Sequence, residues 1–254
     1  GVRFHDVTFS YPGFDTPVLE HFDLALPVGK TVAIVGENGA GKTTLLKLLA
    51  RFYDPTSGSI TLDGVDLRDF SVDALRRHLT VLFQFPVNYQ ATAAESIALG
   101  DAEQAIDRRR VEEAARAAGI HDRIMRLPAQ YDTHLGMWFS DGAELSGGEW
   151  QRLAMARAFY RDAPLIVLDE PTSMMDSWAE AEWFDRFERL ADGAAALVIT
   201  HRFTIARRAD IIHVMKAGRI VESGTHDELV KQGGLYCASW TAQTESHRPP
   251  IFSP

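Results

Sequence analysis

The apolar and polar positions open the chain on short strand-like runs, Val2 to Phe9, Val18 to Leu26 and Thr31 to Val35. Turn residues at Tyr11-Pro12-Gly13 and Pro27-Val28-Gly29 separate them. Lys42 to Leu49 then takes helical spacing, Ser59 to Leu62 reads as a strand entering a turn at Asp63-Gly64, and Leu79 to Phe83 is a further apolar strand. From about Phe85 to Tyr160 the pattern changes to Ala-, Arg- and Glu-rich stretches such as Arg108 to Ala118, which predict a helical insertion. Buried strands return at Leu165 to Leu168 and Ala195 to Thr200, flanking a helical Ser177 to Leu190. That alternation is the rhythm of a parallel sheet. No internal repeat is visible, and the proline-rich His247 to Pro254 reads as a disordered tail.

Composition places the chain among globular proteins: 254 residues, 46% apolar and 24% charged. A formal net charge of -9 argues against a nucleic-acid partner, which calls for a basic face. An anionic ligand would have to be held locally. The single Cys237 permits no internal disulfide and reads as inert, which suits a reducing cytosol. No apolar run approaches the roughly 18 residues that span a bilayer, and no signal segment opens the chain. Beginning on Gly1 and running directly into Val2-Arg3-Phe4, the sequence reads as a domain of a longer polypeptide, with a membrane domain expected in the remainder.

The sharpest chemical signal is Gly36-Glu37-Asn38-Gly39-Ala40-Gly41-Lys42-Thr43, which fits G-x-x-x-x-G-K-[ST] between an apolar strand and a helix. Glycines let successive N–H groups turn inward and the helix N-terminus adds its positive end. The Lys42 ammonium reaches the β- and γ-phosphates of ATP, and the Thr43 hydroxyl suits Mg²⁺. A second signal is the apolar strand Leu165 to Leu168 ending in Asp169-Glu170, at the strand end where α/β sheets place ligands. Asp169 would support Mg²⁺ and Glu170 would polarise the attacking water.

Leu145-Ser146-Gly147-Gly148-Glu149 fits a capping box between Ser146 and Glu149, opening a helix to about Tyr160. A cap needs neither glycine, and both weaken a helix. They leave bare N–H groups at a second helix N-terminus. Lying after the phosphate loop and before Asp169-Glu170, this stretch resembles the signature motif of ATP-binding cassette (ABC) ATPases, and the resemblance covers nearly the whole chain. Other positions follow in the family's order. Tyr11 stands where an aromatic stacks on adenine, Gln84 where a glutamine links the lobes and ligates Mg²⁺, and Thr44 beside Thr43 in the nucleotide loop. Asp176 follows Glu170, and His201 sits after the strand ending at Thr200, where it would orient water and Glu170.

The resemblance implies an α/β fold of the P-loop NTPase (RecA-like) kind, a parallel-sheet core with an N-terminal antiparallel β lobe and an inserted α-helical subdomain. Residues 1–246 would form the nucleotide-binding domain, with 1–84 and 162–246 as core and β lobe and 85–161 as helical subdomain. It further implies a head-to-tail pair, homodimer or heterodimer, in which Ser146, Gly147 and Gly148 of one copy close over ATP held by Lys42 of the other. The chain is most similar to exporter-type domains at the cytoplasmic face of a membrane, commonly fused behind a transmembrane domain; its opening, Phe4-His5-Asp6-Val7-Thr8-Phe9-Ser10-Tyr11, resembles theirs. A soluble ABC ATPase of DNA repair or translation is the alternative, but the long insertions and basic surfaces of such proteins are not evident. The presence of Glu170 and His201 favours turnover over ATP sensing alone. Departures from the family pattern are Gly136 to Gly142, which lacks Gly-Glu-Arg-Gly and is longer, the bulky Met174 in Ser173-Met174-Met175-Asp176, and Glu149 in place of the commoner Gln.

Overall fold

A computed structural model describes residues 1–83, 85, 87–138, 142–172 and 177–246. Gln84, Pro86, Phe139 to Asp141, Ser173 to Asp176 and the tail from His247 lie outside the described residues. Contacts divide the chain into two compact units, Gly1–Leu75 with Ala195–Pro254, and Arg76–Ala194. The boundaries expected after residues 84 and 161 would enclose a shorter helical segment than this second unit.

The first unit opens with β1 (Val2–Phe9), β2 (Leu19–Leu26), β3 (Thr31–Gly36), α1 (Lys42–Leu49), β4 (Ser57–Leu62) and β5 (Val65–Asp66). Next, α2 (Val72–Arg77) leads into the second unit. That unit holds β6 (Leu79–Leu82), α3 (Ala93–Ala98), α4 (Arg108–Ala118), α5 (His121–Met125), α6 (Gly147–Arg161), β7 (Leu165–Asp169) and α7 (Ser177–Leu190). The chain returns to the first unit with β8 (Ala195–Ile199), α8 (Phe203–Ala206), β9 (Ile211–Lys216), β10 (Arg219–Gly224), α9 (His226–Gln232) and α10 (Leu235–Ser246).

In the first unit an antiparallel sheet runs in the order β2-β1-β4-β5. Its alternation is visible in β1, where Val2, Phe4, Val7 and Phe9 are buried and Arg3 and His5 exposed. The phase slips at Asp6, whose φ of 48° and shifted register mark a bulge that returns Val7 to the inner face. Beside this lobe, β8 and β9 pair parallel to the two edges of β3, and β10 adds an antiparallel edge. Val32 to Val35 are fully buried, as strands covered on both faces of a parallel sheet are. Ala33, Val35, Ile212 and Val214 form a core with Phe203 of α8, Leu229 of α9 and Tyr236 of α10.

In the second unit β6 pairs parallel to β7, and the helices pack around α6, which meets both α3 and α4. Local chemistry sets the helix ends. The Asp107 carboxylate accepts from the N–H groups of Arg109 and Arg110 at the start of α4, and Gly119, with φ 74°, closes it. Arg157 of α6 donates to the carbonyl of Ser96 at 2.7 Å, and Arg161 to that of Gly100 at 2.8 Å, so α6 is tied to the segment after β6.

Candidate functional site

The phosphate loop is built where β3 stops. A Cβ at Gly36 would strike the carbonyl of Met215 in β9, so only glycine lets the two backbones approach. Gly39 (φ 82°) and Gly41 (φ 101°) take the left-handed conformation that curls the loop. Gly41 is the N-cap of α1 and no side chain caps that end, so backbone N–H groups open the helix unscreened by a side-chain oxygen. Buried Lys42 donates from Nζ to the carbonyls of Gly36 at 2.7 Å and Glu37 at 2.9 Å, which centres its charge on the loop. Asn38 and Thr43 face solvent, whereas Ala40 and Thr44 are buried. From behind, the β9-β10 turn holds the loop through Gly218, which donates its N–H to the carbonyl of Ala40 at 3.1 Å.

Tyr11 meets this loop. Its hydroxyl lies 3.0 Å from Thr44 Oγ1 and accepts from Lys47 Nζ at 3.3 Å, while the Phe9 and Tyr53 rings pack edge-on against it. His201 stands exposed one residue beyond Thr200, whose N–H donates to the Ile34 carbonyl in β3 at 3.1 Å. A side chain that sequence reasoning did not single out fixes the His201 turn. Gln243 of α10 donates Nε2 to the His201 carbonyl at 2.6 Å and accepts the Phe203 N–H on Oε1 at 3.0 Å. The base of α10 is itself clamped by Glu222 of β10, whose carboxylate accepts from the N–H groups of Leu235 and Tyr236.

The second unit carries the remaining candidates. Asp169 ends the fully buried β7, and Glu170 follows at φ 49°, a left-handed conformation unusual for a residue with a side chain and a frequent mark of functional positions. At the start of α6 the expected capping box is present: Ser146 donates its N–H to Glu149 Oε2 at 2.8 Å, and the Ser146 hydroxyl accepts from the Glu149 N–H at 3.4 Å. A Cβ at Gly148 would find nothing within 4 Å among the described residues, so none of their packing calls for glycine there. Arg123 of α5, also missed in the sequence, donates Nε to Glu149 Oε1 at 2.9 Å. Burial pushes the Glu149 carboxyl up, but the Ser146 N–H and the Arg123 charge outweigh it and hold the group below the usual carboxylate range. Gln84 and Asp176 lie outside the described residues.

The N-termini of α1 and α6 both present backbone N–H groups of a kind that suits an anion, one on the glycine loop and one on Ser146 to Gly148. The glycine loop suits a nucleotide triphosphate; Thr43 in the first unit and Asp169 in the second each carry the kind of oxygen donor that Mg²⁺ accepts. No group of three or more His, Cys, Asp or Glu among the described residues has the form of an all-protein metal cage.

Comparison with known proteins agrees. Residues 19–173 match the family model described as ABC transporter. The chain is 43% identical over 235 residues to an ATP-dependent lipid A-core flippase of Burkholderia orbicola and 45% identical over 237 residues to one of Chromohalobacter salexigens. These alignments cover 92% and 93% of the chain but only 39% and 40% of the flippases. ABC transporter B family member 15 of Arabidopsis thaliana is 40% identical over 248 residues, 96% of the chain and 20% of that protein. A solved bacterial Atm1-family ABC exporter with ATP bound superposes with a TM-score of 0.88 at 36% identity, covering 98% of this chain and 42% of that one. The chain therefore belongs to the ABC transporter family, as an ATP-binding ATPase domain with the P-loop NTPase fold.

Proposed function

We propose that residues 1–246 are the motor domain of an ABC exporter, which pairs head to tail with a second such domain and drives an attached transmembrane domain by binding and hydrolysing ATP. The observation that carries this is the pair of helix N-termini, one with its lysine centred on a glycine loop, the other with a glycine that no packing among the described residues requires. Tyr11 stacks on the adenine, Gly36 to Thr44 grip the phosphates, and Lys42 neutralises the γ-phosphate. Ser146, Gly147 and Gly148 of the second copy close over it. Thr43, Gln84 and Asp169 hold Mg²⁺, which when bound spreads the charge on the phosphate oxygens. Glu170 takes a proton from the attacking water as it adds to the γ-phosphorus and the bond to ADP breaks, and His201 orients that water.

An exposed apolar surface supports the membrane partner, and the exporter reading carries with it a place at the cytoplasmic face. Phe85 is 69%, Met137 80% and Trp138 87% exposed, and Val87 and Tyr89 are exposed as well. The bridge between Thr92 and His134 and the bond from the Leu135 N–H to the Ala91 carbonyl bring the two stretches alongside each other. Apolar side chains gathered so mark a surface that another protein covers. No described helix is long and apolar enough to cross a membrane, and the chain spans about two fifths of the flippases it matches.

ATPase rate against protein concentration tests the proposal. Wild-type rate rises more steeply than linearly, whereas Glu170→Gln binds ATP and associates but turns over at least about a hundredfold more slowly, the scale of a lost general base. A linear rate that survives the substitution would contradict both the pairing and the assignment of the base.

A further inference from the structure

An anion site at a helix N-terminus is weakened by a negative charge in its own first turn, and α6 carries one. Glu149 stands directly after Gly148, and its carboxylate is fixed on the Ser146 N–H at 2.8 Å, within the turn that would face phosphate. A carboxylate there favours the helix but repels an approaching polyphosphate. A glutamine side chain at this position would accept the same Ser146 N–H without the charge.

The structure supplies a counter-charge. Arg123 of α5 donates Nε to the other oxygen of Glu149 at 2.9 Å and its terminal nitrogen to the Glu144 carbonyl at 3.4 Å, bracing both sides of the signature turn. The two side chains are 28% and 22% exposed, so solvent screens the pair less than it does most surface pairs. The remaining carboxylate on this turn, Glu144, accepts from Trp150 Nε1 at 3.3 Å and leaves Arg123 to Glu149.

We propose that Arg123 is a positioning residue of the signature turn, which neutralises Glu149 so that Ser146, Gly147 and Gly148 can close on the γ-phosphate of ATP held by a second copy. The proposal rests on the head-to-tail reading above. It assigns a partner to the departure from the family's commoner glutamine: the acid at 149 and the arginine at 123 work as a unit.

The test measures ATP-driven association by sedimentation in a Glu170→Gln background, together with binding of a fluorescent ATP analogue to the dilute chain. Arg123→Gln weakens association by about tenfold or more, the effect of one uncompensated charge near a phosphate, while analogue binding to the dilute chain is unchanged. Arg123→Lys keeps the charge and retains most of the association. In the double variant R123Q/E149Q the harm disappears and association returns to that of E149Q alone. A double variant as weak as R123Q would overturn the proposal by reducing Arg123 to a brace, and so would an R123Q that associates like its parent. Ser146→Arg separates the underlying reading: if it leaves association intact, the lid role of the signature turn fails and the proposal with it. If it abolishes association while R123Q does nothing, only the role of Arg123 falls.

Discussion

At Gly148 an added methyl group meets no neighbour within 4 Å among the described residues, on an ordinary helical backbone. Alanine in a helix is favoured over glycine by about 1 kcal/mol at most, so Gly148→Ala is expected to leave thermal unfolding unchanged or raise it by no more than about 4 °C. The same methyl group stands where the second copy's ATP is proposed to approach. ATPase activity should therefore fall about tenfold or more while stability holds, since the close approach needs bare backbone. Calorimetry and turnover on the same sample decide it, and an active, more stable variant would place the glycine outside the site. Most residues of this kind were legible in the sequence because their type and spacing carry the chemistry: Lys42 after its glycines, Glu170 after a buried strand, Ser146 three before Glu149. Arg123 and Gln243 were not, because each reaches its partner from a distant segment and no local pattern announces it.

At the level of elements, the supports of the site come from the end of the chain. Strand β9 brings the Met215 carbonyl against Gly36, the β9-β10 turn ties Gly218 to Ala40, and α10 brings Gln243 to the backbone on both sides of Arg202. Since Gln243 holds the His201 turn by two bonds, Gln243→Ala is expected to lower kcat by roughly three- to tenfold, the worth of about one net hydrogen bond or slightly more, with a smaller change in ATP affinity. Single-turnover rates measured beside equilibrium binding check this split; equal losses in both would point to a general loosening of the fold instead. These elements are the ones the hydrophobic pattern conveys least. β10 alternates only partly buried positions, and α10 spreads Tyr236 and Trp240 among Ser, Thr and Ala without an apolar stripe. By contrast β3, α1, α4 and α7 fall close to their expected bounds, because buried β-branched runs and well-spaced apolar faces record their own surroundings.

For the whole molecule, the antiparallel lobe is as the family resemblance implies, and the parallel pairing around β3 and the helix-rich second unit follow the sequence pattern. The two compact units depend on which contacts form across distant segments, and they group β6, β7 and α7 with the helices. The central claim, that each site is completed by a second copy, makes the separated anion sites complementary. A mixed pair of Lys42→Ala and Ser146→Arg chains concentrates both defects in one composite site and leaves the other intact. The most direct measurement is therefore the ATPase rate of each variant alone and of their equimolar mixture. The account predicts that each is nearly inactive by itself and that the mixture recovers a substantial part of wild-type turnover, whereas a mixture no more active than its components would contradict it.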